Sequence, residues 1–156
     1  MMSLEDDYKL LLAQVKELIS GEKDETSIFA NVSAALHDAF PDRFFWVGFY
    51  FVKDDQLALG PFQGTVACYH IPFGKGVCGT AWQSGNTIIV PDVESFPGHI
   101  ACSSLSRSEI VAPIKGMDGQ VKAILDIDSV SLDSFNSIDQ LYLEQLATDL
   151  SHHLRW

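Results

Sequence analysis

Apolar residues recur at three- and four-residue intervals in two stretches near the start of the chain and again at its end. Tyr8, Leu11, Leu12, Val15, Leu18 and Ile19 make the first stripe, a helix that Gly21 is placed to stop. Ile28, Val32, Leu36 and Phe40 make the second, over about 26–40, with Pro41 ending it. Leu143, Leu146, Ala147, Leu150 and Leu154 make the third, in a helix that begins near Ser137 with Asn136 as its N-cap. Between these helices the texture is that of strands. The segment 44–52 is aromatic and β-branched. Shorter strands are expected near 57–59 and 67–71, broken by Gly60-Pro61 and by Pro72-Phe73-Gly74. A short helix over 76–84, with Gly85-Asn86 as its exit, leads to a strand at 87–90. Strands at 109–114 and 121–130 follow, joined by Gly116-Met117-Asp118-Gly119, where Asp-Gly signals a hairpin.

This order predicts an α+β fold: a mostly antiparallel central sheet with N- and C-terminal helices packed on one face. One domain over 1–156 is expected, with helices in 1–40, sheet and active-site loops in 44–130, and the last helix in 137–156. The connection at 91–107 is long and rich in Pro, Gly and Ser. Structureless loops beyond about 12–15 residues tend to be functional. This one carries Cys102.

Composition narrows the function classes. A net charge of −11 argues against nucleic acid and against an anionic membrane surface as partners. No apolar run approaches the roughly 20 residues that span a bilayer. The start, Met-Met-Ser-Leu-Glu-Asp-Asp, is acidic where a signal peptide is basic, so a cytoplasmic location is expected. In that reducing compartment three cysteines read as free, catalytic or metal-bound rather than as a disulfide framework.

Cys68, Cys78 and Cys102 include no C-x-x-C pair, and their spacing to His70 or His99 is irregular, so no metal is expected. Cys102, in the long loop three residues after His99, is the best candidate for a reactive thiol, since a nearby imidazolium raises the thiolate fraction. Core filler is the bland reading of a lone cysteine and suits Cys78 about as well as a chemical role. Asp126 and Asp128 share one face of a strand, and hairpin pairing brings Glu109 near them. Such a group is either a solvated acidic face or a pocket that holds an ammonium and keeps one carboxyl protonated. In Trp46-Val-Gly-Phe-Tyr50, alternation puts Trp46, Gly48 and Tyr50 together, with room over the glycine for a methyl or thioether.

The segments Trp46–Tyr50, Gly60-Pro-Phe-Gln-Gly64, Ile71-Pro-Phe-Gly-Lys-Gly-Val-Cys78-Gly-Thr80, Val90-Pro-Asp-Val93, Phe96-Pro-Gly-His-Ile-Ala-Cys102 and Ser108-Glu-Ile-Val111 together resemble the free methionine-(R)-sulfoxide reductases, enzymes built on a GAF domain. The resemblance covers nearly the whole chain. It implies a GAF-like fold and reduction of free L-methionine-(R)-S-oxide to L-methionine. Cys102 would be the nucleophile that becomes a sulfenic acid, Cys68 the resolving thiol that forms a disulfide with it, and Cys78 an accessory thiol. Glu109, Asp126 and Asp128 would surround the substrate, with Trp46 and Tyr50 as the wall at its methyl-sulfoxide end. The resemblance further implies no cofactor, thioredoxin as reductant and, in many members, a homodimer. The alternative is a GAF module that senses a small ligand such as a cyclic nucleotide without catalysis. An acidic pocket lacking an Arg/Lys cluster disfavours it.

Overall fold

Caps fix where the three long helices begin. In the computed structural model, which describes residues 2–156, α1 (Leu4–Ile19) starts at a capping box between Ser3 and Asp6. Helix α2 (Glu25–Ala39) is capped by Asp24, whose carboxylate accepts from the Ser27 N–H. Helix α4 (Ser137–Leu154) carries a second box, Asn136 with Asp139. The strands are β1 (Trp46–Lys53), β2 (Gln56–Gln63), β3 (His70–Pro72), β4 (Ile88–Val90), β5 (Ser108–Lys115) and β6 (Val121–Ser129), and α3 (Gly76–Ser84) is the short fourth helix. All pairings are antiparallel, in the order β3-β2-β1-β6-β5-β4. The fold is the predicted α+β class. No helix among the described residues is long and apolar enough to cross a membrane.

Alternation along β1, β5 and β6 divides the core in two. Val47, Phe49, Ile110, Ala112, Leu125 and Ile127 pack with the apolar stripes of α1, α2 and α4. Trp46, Tyr50, Val111 and Ile124 belong to a second cluster with Val77, Cys78 and Ala81 of α3. On the helical side, the buried Asp139 carboxylate accepts from Arg43 at 2.9 Å and from the Tyr8 hydroxyl, joining α1, the α2–β1 turn and α4. Burial, and then the Asp139 charge, push the Tyr8 hydroxyl's pKa upward, so it stays a donor.

Two local expectations fail. The sequence predicts a break at Gly60-Pro61, yet β2 runs through both. A register shift between Gly48 and Tyr50 lies opposite this dipeptide, so Pro61 has no regular ladder position to fill. The strand expected over 67–71 is reduced to His70–Pro72, and 65–68 forms a loop that lies over β1 instead.

Candidate active site

Strand register assembles the acidic group. Trp46 of β1 pairs with Asp128 of β6, Asp128 with Glu109 of β5, and Glu109 with Val90 of β4, one row across four strands. Gly48, Asp126 and Val111 form the next row. The predicted hairpin therefore brings Glu109 and the aspartates together. They do not form a solvated face, since Glu109 is 5% and Asp126 6% exposed.

Burial is the main reason all three carboxyls have pKa values well above the ordinary range. Mutual repulsion adds to it, from Asp128 on Glu109, from Glu109 on Asp126 and from Asp126 on Asp128. Such a trio shares its protons and titrates as a unit. One Asp126 oxygen, Oδ1, is buried without a hydrogen-bond partner.

Helix α3 covers the trio from above. Its first turn is Gly76-Val-Cys78, and Gly76 takes φ +63°, a left-handed value that favours glycine, with Ile100 packed beside it. The Cys78 sulfur and one carboxylate oxygen each from Glu109 and Asp126 lie within 4.8 Å of one another. A helix N-terminus ordinarily lowers a thiol pKa. Here burial and the neighbouring carboxylates outweigh it, and the Cys78 thiol is pushed well up. Cys78 is thus a buried, protonated thiol that packs in the second core cluster and at the same time touches the acids.

The third wall is two loops joined by sulfur. Trp46 Nε1–H donates to the Thr65 carbonyl at 2.9 Å and the Tyr50 hydroxyl to the Cys68 carbonyl at 3.1 Å, pinning 65–68 over the aromatic pair. Cys68 is disulfide-bonded to Cys102 on the long loop, with Cα atoms 5.6 Å apart. Trp46, Tyr50, Cys78, Cys102, Glu109, Asp126 and Asp128 all line one cavity of about 40 Å³. That is room for a water or two.

Two sequence expectations change at this site. The space over Gly48 is taken by Phe62, which stacks on Trp46 with ring centroids 5.1 Å apart; a Cβ on residue 48 would stand 2.3 Å from the Phe62 Cβ. The glycine serves this approach and leaves no ligand slot. His99 points its Nε2 to within 3.7 Å of a Glu109 oxygen. Burial lowers its pKa, against the pull of Asp126, so it sits neutral beside the acids rather than as an imidazolium activating Cys102.

Lys75, Ile71 and Ile100 also line the cavity, and the sequence patterns did not single them out. Lys75 occupies the N-cap of α3, which has no side-chain cap, so the backbone N–H groups of its first turn stand open beside the cavity. The Gly-Lys-Gly run just before a helix was the available signal for this feature.

The GAF domain family model matches residues 22–155. Over 92% of its length the chain is 54% identical to GAF domain-containing protein A of Dictyostelium discoideum, covering 90% of that protein. It is 42% identical to free methionine-R-sulfoxide reductase of Escherichia coli, over 96% of this chain and 89% of that one. The structure of free methionine-R-sulfoxide reductase from Neisseria meningitidis in complex with its substrate superposes with a TM-score of 0.94 at 46% identity, covering 99% of this chain and 92% of that one.

Proposed function

The chain belongs to the GAF domain family and, within it, to the free methionine-R-sulfoxide reductases; on that footing we propose that it reduces free methionine-R-sulfoxide to methionine with Cys102 as nucleophile. The observation that carries this reading is the Cys68–Cys102 disulfide, whose Cys102 lines the same cavity as three clustered acids, Glu109 and Asp126 buried and Asp128 half-buried.

A sulfoxide sulfur is a poor electrophile until its oxygen is protonated or strongly hydrogen-bonded. A carboxyl of the Glu109/Asp126/Asp128 group, held protonated by burial, supplies that proton. The Cys102 thiolate attacks the activated substrate sulfur. The protonated oxygen then passes from that sulfur to the Cys102 sulfur as the transient bond between the two sulfurs breaks, so that methionine leaves and Cys102 is left as a sulfenic acid. The Cys68 thiol displaces that oxygen as water and forms the disulfide. A dithiol reductant of the thioredoxin type then exchanges with it and returns both thiols. Cys78 stays reduced as an accessory thiol.

Selectivity for the free amino acid follows from charge. The ionised members of the acid group pair with the substrate ammonium, while the open N–H groups at the start of α3 bind its carboxylate. A peptide-bound methionine sulfoxide has neither charge. The same field disfavours a cyclic nucleotide, because Lys75 is the only Lys or Arg at the cavity among the described residues and three carboxyls face any phosphate.

The test is purified protein with thioredoxin, thioredoxin reductase and free methionine-R-sulfoxide, following NADPH loss, together with single-turnover methionine release from the pre-reduced protein. Cys102→Ser loses the first turnover, and Cys68→Ser keeps it but stops recycling. Equal first-turnover losses in both variants would refute this division of labour.

A further inference from the structure

Cys78 has no part in the two-sulfur cycle, yet it is the thiol in contact with the acids. Its sulfur and the Glu109 and Asp126 oxygens lie within 4.8 Å of one another, all buried. Asp126 Oδ1 is unpartnered in this group, and the neutral His99 brings its Nε2 to 3.7 Å from Glu109 Oε1. An ammonium explains two carboxylates around a cavity, but it gains nothing from a sulfur. One thiolate, two carboxylates and one imidazole make a donor set for a thiophilic divalent cation. We propose that Cys78, Glu109 and Asp126, with His99 as fourth ligand, bind a zinc-type cation that excludes the substrate.

The three-residue group needs little change, while His99, near Glu109 but outside that group, has to swing in to complete the set. Tetrahedral zinc with bonds of about 2.0–2.3 Å holds its ligand atoms about 3.3–3.8 Å apart, so the present group contracts by about 1 Å. A cavity of about 40 Å³ accepts an ion without further opening. A cation there relieves the repulsion among the acids and gives Oδ1 the partner it lacks. Cys78 is free while Cys68 and Cys102 are bonded, so the site is present in the disulfide form of the protein. Binding by that form does not depend on the enzymatic reading; inhibition by the bound ion does rest on it.

The experiment titrates Co²⁺ into the disulfide form, free of thiol reductants and chelators. We expect the visible absorption of a tetrahedral Co²⁺ centre and a near-ultraviolet sulfur-to-cobalt band, both saturating at one equivalent and both abolished by added Zn²⁺. Cys78→Ser removes the sulfur band and weakens Co²⁺ binding by at least about 100-fold, the upper end for loss of a merely supporting contact. Asp126→Asn keeps the sulfur but weakens binding at least about 10-fold, and so tests the site should the serine variant misfold. Absence of the sulfur band, or its survival in Cys78→Ser, overturns the proposal. A protein that reduces the sulfoxide but shows no band refutes only the metal site. One that shows the band without reducing the sulfoxide refutes only the enzymatic reading.

Discussion

On the helical side of the sheet, Val47, Ile110, Leu125 and Ile127 are buried against three helices and are all of one kind. One residue away along the same strands, Trp46, Glu109, Asp126 and Asp128 face the cavity. Both faces are buried, but only one is arranged for stability. The helical face buries apolar area and pairs its charged group, Asp139, with Arg43 and Tyr8, leaving only the Arg43 Nη1 without a partner there among the described residues. The cavity face crowds three carboxyls and, among the described residues, bonds no Lys or Arg to any of them; Oδ1 of Asp126 is left unpaired. Groups held at a cost inside a fold mark where it acts rather than where it is held together.

Glu109→Gln breaks the cavity face with the largest effect. Its amide keeps the shape and removes the acid, and loss of a positioned general acid costs about 10²–10⁴-fold in rate. The wild-type rate should fall as pH rises through the raised pKa of the acid group, because the proton donor is then lost. Glu109→Gln should be slow at every pH and show less of that fall, as read from kcat/KM profiles with free methionine-R-sulfoxide. An unchanged profile would remove Glu109 from the chemistry.

Leu125→Ala is the matching break on the helical face. Leu125 is 1% exposed, and truncation of such a residue costs about 2–5 kcal/mol. Urea unfolding should shift by that amount, while kcat/KM per folded molecule stays close to wild type. A variant that folds well but turns over slowly would show that the faces are not separable.

A smaller effect belongs to the disulfide. With Cys68 and Cys102 joined, the cavity of about 40 Å³ has room for no more than a water or two. Reduced protein should therefore bind free methionine-R-sulfoxide at least about 10-fold more tightly than the disulfide form, or about 1.4 kcal/mol. Calorimetry on both forms of Glu109→Gln, which is too slow to consume the ligand, makes the comparison.

The helical face was legible in the sequence because its rules are periodic. Tyr8 to Ile19 and Leu143 to Leu154 give themselves away by spacing, and alternation along 46–50 and 125–128 assigns both faces correctly. The cavity face was legible only in part. Hairpin pairing put Glu109 beside the aspartates, but whether they were buried depended on α3 and two loops, whose positions no local pattern encodes. Gly48 shows the same limit, since a partner from β2 occupies the space that spacing left open. His99 lies three residues from Cys102 in the chain but faces Glu109, because the loop between them turns. The pairing of Cys68 with Cys102 came from resemblance alone.

Asp126→Asn gives the smallest change and discriminates most sharply between the faces. Burial first, and the Glu109 charge second, hold the Asp126 carboxyl above the ordinary carboxylate range. A group whose folded pKa exceeds its unfolded one contributes stability that is complete below the unfolded value and lost as pH rises through the folded value. Near neutral pH the native protein therefore carries a penalty at Asp126 that an asparagine does not. The variant should be more stable there by about 1 kcal/mol, the usual gain on relieving a functional site, or about 3 °C in Tm. The gain should vanish towards about pH 4, where the unfolded carboxyl is itself protonated. Ile127→Val, one residue along and on the other face, should instead lose about 1 kcal/mol at every pH. Thermal melts of both variants across about pH 4–8 make the comparison, and a pH-independent loss of stability in Asp126→Asn would make Asp126 an ordinary structural residue. Stability gained there and activity lost with it would fix the cavity face as the one held against the interests of the fold.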